Sequence, residues 1–195
     1  SDQHPWFVES AGSRDNPRRD WYIWRDPDTD GHVPTNWQAA FGGSAWEFDS
    51  RTGQYYLHSF LKQQPDVNWR NPEVRQAMLD VCTFWLNLGV DGFRLDVFNA
   101  YFKDAEFRNN PKKFGLRSFD RQVHIHDMNQ PEMIEFLQEL RLLRVREVGD
   151  RDRVVRARDD LEVRNCGRRH AVGDVGDSFG EEVAQGLLGK VDPEG

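Results

Sequence analysis

Apolar residues recur at helical spacing in the middle of the chain. They follow residues 71–73 (NPE), where Asn71 can cap a helix and Pro72 suits its first turn. The pattern predicts a helix that ends near Gly89 and packs one face on a core. That face is formed by Val74, Met78, Val81, Cys82, Trp85 and Leu88.

A short alternating stretch, residues 92–99 (GFRLDVFN), follows this helix. In a strand, Arg94 and Asp96 share one face, and Phe93, Leu95 and Val97 point the other way. A helix, a tight connection and an apolar strand are typical of an α/β fold with a parallel sheet. The charged pair is either a local ion pair or a catalytic pair at a strand end.

The first 60 residues are rich in aromatic, Asp, Asn, Pro and Gly residues and lack long periodic segments. We predict a short strand at residues 21–24 and two strands at residues 46–49 and 54–58, which are joined by a turn. These features predict a loop-rich subdomain whose aromatic surface is suited to stacking on sugars or bases.

A long polar loop follows Asn99, and a second helix is predicted from Pro131. Such loops after strand ends carry the chemistry of many α/β folds. His124 and His126 lie in this loop, but the sequence places neither a Cys nor a third His suitably beside them. We therefore favour loop hydrogen bonding over metal binding for both.

Composition and charge exclude several function classes. The chain has 195 residues, 37% of them hydrophobic, and a formal charge of −7, which disfavours binding to nucleic acid or to an anionic membrane. A small polar substrate fits better. The two cysteines, Cys82 and Cys166, do not form a disulfide framework, and no segment is long enough to cross a bilayer. With no signal peptide recognised, we expect a cytoplasmic location.

The acidic loop that begins at Asp26 is a candidate calcium site. Asp26, Asp28, Asp30 and Gly31 match the first half of an EF-hand loop, but Trp37 stands where the twelfth-position acid is needed. We therefore expect a solvated turn and no metal or cofactor, with calcium as the alternative.

Four separated motifs together carry a family resemblance. They are residues 1–7 (SDQHPWF), 41–46 (FGGSAW), 64–69 (QPDVNW) and 92–99 (GFRLDVFN). In this order they resemble the α-amylase family, glycoside hydrolase family 13, and within it the α-glucosidase and oligo-1,6-glucosidase branch. The match covers about residues 1–141.

The resemblance implies part of a (β/α)8 TIM barrel with a loop-rich subdomain inserted after the third strand. Residues 1–60 would be this insertion, and residues 61–141 would be the partial catalytic barrel. The helix from Pro72 would then be the third barrel helix, and residues 93–97 the fourth strand.

The resemblance also implies roles for four residues. Asp96 falls on the nucleophile of a retaining glycosidase, and Arg94 on the arginine that orients it and keeps it ionised. Phe41 and Phe60 fall where aromatic residues line the glucose pocket, although simple core packing is the alternative. The expected partner is a small oligosaccharide, and the sequence does not indicate an oligomeric state.

Two features indicate a linkage preference within this branch. Residues 64–68 (QPDVN), and a valine directly after the nucleophile, here Val97, go with cleavage of α-1,6 bonds rather than α-1,4 bonds. A transglycosylating relative, trehalose-forming or sucrose-acting, would share Arg94 and Asp96. A non-catalytic carbohydrate-binding relative of the same barrel is a third alternative.

The sequence changes character near Leu142. Arg, Val, Gly and Asp dominate residues 142–195, and Phe179 is the one aromatic residue there. Glu147 and Asp150 are the candidates for the general acid of the family. We expect an atypical, poorly ordered tail that results from a changed reading frame, and a fragment that is inactive by itself.

Overall fold

The computed structural model describes residues 1–148, with side chains as far as residue 142. Its first part contains a short helix, α1 (Pro5–Ser10), and a three-stranded antiparallel sheet of order β1-β3-β2. The strands are β1 (Trp24–Arg25), β2 (Trp46–Asp49) and β3 (Gln54–Leu57). Trp46 pairs with Leu57 and Asp49 with Gln54, so the predicted hairpin is confirmed.

Aromatic side chains form the core around this sheet. Trp37, Trp46 and Leu57 fill one cluster, and Phe7, Tyr22 and Trp24 fill another. The predicted strand at residues 21–24 is wrong in its bounds. A 3-10 turn (Arg19–Trp21) occupies its start, because the buried Arg19 side chain donates to the Ser10 carbonyl over 2.9 Å and holds this turn on α1.

Two longer helices, α2 (Pro72–Asn87) and α3 (Glu132–Val148), make up the second part. The side-chain oxygen of Asn71 accepts a hydrogen bond from the Glu73 amide over 2.9 Å, as the capping pattern predicted. Gly89 follows α2 with φ +99°, a left-handed conformation that glycine tolerates. The helices pack through a third cluster, which contains Leu79, Phe102, Met133 and Phe136.

The predicted buried face of α2 needs a correction. The structure buries Val74 of the predicted face, but the other buried residues are Leu79 and Leu86. Val81 and Trp85 of the predicted face are about half exposed, and Leu88 is 64% exposed. The buried side is set by α3, which packs on the Leu79 side of the helix. Within residues 1–148, no strand covers the opposite face.

The predicted strand at residues 93–97 is also wrong in the described structure. Residues 91–95 have no regular secondary structure, and a 3-10 helix (Phe98–Ala100) follows them. A strand needs a neighbour to accept and donate its backbone hydrogen bonds. The described part of the chain contains one sheet, formed by β1, β2 and β3, and it does not include this segment.

Some sequence predictions lie outside the described residues. They concern the tail after residue 148, its reading frame, Cys166, the acid candidate Asp150, and the side chain of the acid candidate Glu147. The expectation of an irregular tail from residue 142 is wrong at its start, because α3 continues to Val148. The domain bounds at residues 60 and 141 stay predictions. Among residues 1–148, no helix is both long and apolar enough to cross a bilayer.

Candidate active site

Arg94 and Asp96 form an ion pair at the surface. Arg94 Nη2 lies 3.4 Å from Asp96 Oδ1, and the two side chains are 87% and 70% exposed. A solvated pair of this kind adds little to the free energy of unfolding. Its structural contribution is therefore small, and both charged groups are accessible to a ligand.

The residue after Asp96 has a strained backbone. Val97 has φ 44° and ψ 36°, in the left-handed region. For a β-branched residue this conformation costs about 1–3 kcal/mol, and such strain clusters at functional sites. It turns the chain sharply from Asp96 into the 3-10 helix. The alternating pattern predicted extended backbone here, so this turn was not predicted.

Phe41 and Phe60 lie beside each other. Their ring centroids are 5.9 Å apart, with the planes tilted by 55°. Phe41 is 57% exposed and precedes two glycines, Gly42 and Gly43, whose φ angles of +98° and +83° form the turn that carries it. The structure thus brings together two of the four predicted site residues, and their place in a glucose pocket stays a prediction.

Ser59 joins the segments that carry these two aromatic residues. Its carbonyl accepts from the Ala40 amide over 2.9 Å, next to Phe41. Its amide and hydroxyl donate to the two carboxylate oxygens of Asp66 over 2.9 and 2.5 Å. Asp66 belongs to the motif at residues 64–69, so this motif fixes the end of β3 and the start of the Phe60 segment.

A buried lysine completes this network. Lys103 is 2% exposed, and its Nζ donates to Ser59 Oγ and to the Ala100 carbonyl, each over 2.7 Å. The same ammonium lies 3.2 Å from Asp66 Oδ2 and 3.3 Å from the Asp127 carbonyl. Sequence reasoning missed Lys103, because it stands in a polar stretch that predicts a solvated charge.

The loop after the 3-10 helix is held by the charged pair of Asp104 and Arg108. Arg108 donates to both carboxylate oxygens of Asp104, over 2.9 and 2.6 Å. These hydrogen bonds hold the pKa of Asp104 well below its usual range, against the opposing effect of burial. Asp104 therefore stays ionised and anchors the loop at neutral pH.

His124 is enclosed by two acceptors. Its Nδ1 lies 2.8 Å from Asp127 Oδ2, and its Nε2 lies 2.8 Å from the Phe119 carbonyl. Burial lowers the pKa of His124, but the Asp127 carboxylate and the carbonyl outweigh burial, so the pKa is raised overall. The predicted loop hydrogen bonding of His124 is confirmed. The His126 amide donates to Asn110 Oδ1 over 3.1 Å, and its ring Nδ1 lies 3.9 Å from Asp104 Oδ2.

The acidic loop at residues 26–31 is closed by its own backbone. Asp28 Oδ1 accepts from the amides of Asp30 and His32 over 3.0 and 2.7 Å, and Asp26 pairs with Arg14. Across the part of the chain that the structure describes, no three His, Cys, Asp or Glu side chains are grouped to hold a metal ion. The expectation of no cofactor stays a prediction.

Comparisons with known proteins identify relatives for most of the chain. The family model described as "Alpha amylase, catalytic domain" matches residues 1–156, past the boundary expected near Leu142. A probable alpha-glucosidase of Rhizobium meliloti is 48% identical over 171 residues, covering 78% of this chain and 31% of the relative. An oligo-1,6-glucosidase of Parageobacillus thermoglucosidasius is 50% identical over 140 residues, covering 72% and 24%.

A solved structure agrees with these sequence matches. The alpha-glucosyl transfer enzyme XgtA superposes with a TM-score of 0.73 at 47% identity, covering 76% of this chain and 30% of that enzyme. The chain thus spans about a quarter to a third of the length of the relatives it matches.

Proposed function

Because the chain belongs to the α-amylase family, we propose that the protein hydrolyses α-glucosidic bonds in short oligosaccharides, with Asp96 as the nucleophile. The family has a TIM-barrel-type fold, and this chain corresponds to a part of it. The observation that carries the proposal is the exposed ion pair of Arg94 and Asp96 within the motif at residues 92–99. This pair contributes little to stability, and it leaves a carboxylate accessible to a sugar.

The proposed reaction is a double displacement with retained configuration. A carboxylate oxygen of Asp96 bonds to the anomeric carbon, the bond from that carbon to the glycosidic oxygen breaks, and an acid protonates the departing oxygen. Water then attacks the same carbon and releases Asp96. In retaining enzymes the two carboxyl groups stand about 5 Å apart. The general acid is not assigned among the described side chains.

Arg94 and the aromatic pair have separate roles in this proposal. The guanidinium of Arg94 orients the Asp96 carboxylate through a charge-assisted contact. Phe41, whose ring is exposed, supplies an apolar face for a glucose ring, and Phe60 supports it from 5.9 Å away. Stacking on such faces gives affinity for sugars without added charge.

We propose α-1,6 bonds as the preferred substrates. The supporting features are residues 64–68 (QPDVN) and Val97. The similarity to an oligo-1,6-glucosidase is consistent with this preference. Isomaltose-type oligosaccharides are therefore expected to be cleaved faster than maltose.

A grafted enzyme tests the function. Residues 1–141 of this chain replace the aligned segment of the Parageobacillus thermoglucosidasius relative, which supplies the remaining sequence. The graft is expected to release glucose from isomaltose, and Asp96→Asn is expected to lower kcat by about 10⁴-fold or more, as for other catalytic-unit residues. Arg25→Gln, remote from residues 94–96 in sequence and on β1, is the control. An unchanged kcat in the Asp96→Asn graft would contradict the proposal.

Glucosyl transfer is a second candidate, favoured by the similarity to an alpha-glucosyl transfer enzyme. Transfer and hydrolysis share the glucosyl-enzyme ester and differ in whether a sugar hydroxyl or water attacks it. Product analysis of the graft on isomaltose, maltose and sucrose separates them. Glucose alone indicates hydrolysis, longer or isomerised sugars indicate transfer, and sugar binding without any product indicates a non-catalytic relative.

A further inference from the structure

We propose that Lys103 is a positioning residue that holds the Asp96 segment against the Phe60 segment. Its ammonium bonds Ala100, which lies four residues after Asp96, and Ser59, which directly precedes Phe60. This inference rests on the proposed function, since it takes Asp96 and Phe60 as parts of one site.

The first argument is the charge of the buried group. A lysine side chain that is 2% exposed is costly unless its charge is paired and its three protons are bonded. Here a carboxylate oxygen of Asp66 lies 3.2 Å away, and two oxygen acceptors lie at 2.7 Å. The interactions that offset the cost of burying the Lys103 ammonium are thus the same ones that join the Asp96 segment to the Phe60 segment.

The second argument is the sequence separation that the ammonium bridges. Ser59 and Asp66 belong to the segment after β3, whereas Ala100 belongs to the 3-10 helix that follows Val97. Residues 91–95 have no regular secondary structure, so no ladder fixes their position. The hydrogen bond from Lys103 to the Ala100 carbonyl therefore constrains the position of Asp96.

The third argument is the second connection of Ser59. Its carbonyl accepts from Ala40, beside Phe41, and its hydroxyl both accepts from Lys103 and donates to Asp66. One lysine thus connects the segments that bear Phe41, Phe60 and Asp96. Replacing it removes one link between the aromatic pair and the nucleophile, and leaves the partly buried Asp66 carboxylate, 17% exposed, without its cation.

Pulsed electron paramagnetic resonance on the full 195-residue chain tests the proposal. Nitroxide labels are attached to Leu61→Cys and Phe98→Cys, whose side chains are 48% and 43% exposed, after both native cysteines are replaced by alanine. Lys103→Met is expected to broaden the distribution of label distances about twofold or more, because the tethered segments then move independently. Arg75→Met, which removes the ion pair with Glu139, is the matched control and should leave the width unchanged.

A double variant separates positioning from general stability. Asp66→Asn with Lys103→Met removes the partly buried carboxylate that has lost its cation, and the amide can still bond Ser59, so the Tm should recover relative to Lys103→Met alone. The distance distribution should stay broad, since the tether to Ala100 is still missing. A distribution that narrows again as the Tm recovers, or one that Lys103→Met never broadens, would overturn the proposal. These measurements involve no sugar chemistry, so failure of the proposed function would show in the graft and not here.

Discussion

At the scale of single residues, the candidate site combines an exposed charged pair with a strained turn. Asp96 and Arg94 remain accessible to solvent, and Val97 bends the chain away directly after them. The cost of the left-handed valine is met by the contacts of the surrounding residues. Asp96 is thus held at a defined bend, and the bend carries an energetic cost that can be measured.

Replacing Val97 by asparagine is expected to stabilise the chain. Asparagine adopts the left-handed region far more readily than valine does, so the free energy of unfolding should rise by about 1 kcal/mol. Urea unfolding of the full chain measures this change. Val123→Asn, at a valine that is 38% exposed and has no positive φ, is the control and should not stabilise. Equal destabilisation by both substitutions would show that Val97 is not strained.

Sequence reasoning predicted part of the site at this scale. The contact of Arg94 with Asp96 follows from their spacing of two residues, since either an extended or a bent backbone allows it. Lys103 was not predictable, because its partners Ser59 and Asp66 lie about forty residues away in the chain. Local patterns carry no information about such distant partners.

At the scale of secondary-structure elements, the segments with regular apolar spacing were predicted. The features that depend on a neighbouring element in the fold were not. The hairpin β2–β3 and both helices appear where apolar spacing and the Asn71 cap placed them. The buried face of α2 and the strand at residues 93–97 were wrong. Both depend on which element lies alongside, and α3 rather than a strand packs on α2 in the described residues.

The loop after the 3-10 helix is expected to lose stability as pH rises. The pKa of His124 is raised in the folded protein, so its contribution is complete below its unfolded pKa of about 6.5 and is lost as pH rises through the folded pKa. The Asp127 carboxylate stays ionised in this range because its own pKa is lowered overall, although burial opposes that. The positive charge of Lys113 opposes the effect of Asp127 on His124.

Amide hydrogen exchange measures this loop directly. Protection of residues 119–127, corrected for the intrinsic pH dependence of exchange, should fall between pH 5.5 and 8.5 in the native chain. His124→Gln should remove that dependence, and His32→Gln, at an exposed histidine, should keep it. The account of this loop fails if the native chain and His124→Gln respond to pH in the same way.

At the scale of the whole molecule, the sequence motifs predicted the family. The packing of side chains determines how the described parts of the chain are arranged. The aromatic clusters around the sheet and the cluster between α2 and α3 are separate, and the Lys103 network lies between Ser59 of the first part and Ala100 of the second. Family membership was predicted because four motifs recur in order, which no single motif would have allowed. The general acid that must act together with Asp96 was not predictable from these motifs.

Trapping of the glucosyl-enzyme ester tests the central claim most directly. The grafted enzyme is incubated with 5-fluoro-α-D-glucosyl fluoride, in which fluoride leaves the anomeric carbon without protonation and Asp96 forms the new bond. Peptide mass spectrometry is expected to place the fluoroglucosyl group on Asp96, and Asp96→Asn should abolish the label. A label on another carboxylate, or equal labelling of the Asp96→Asn graft, would contradict the account.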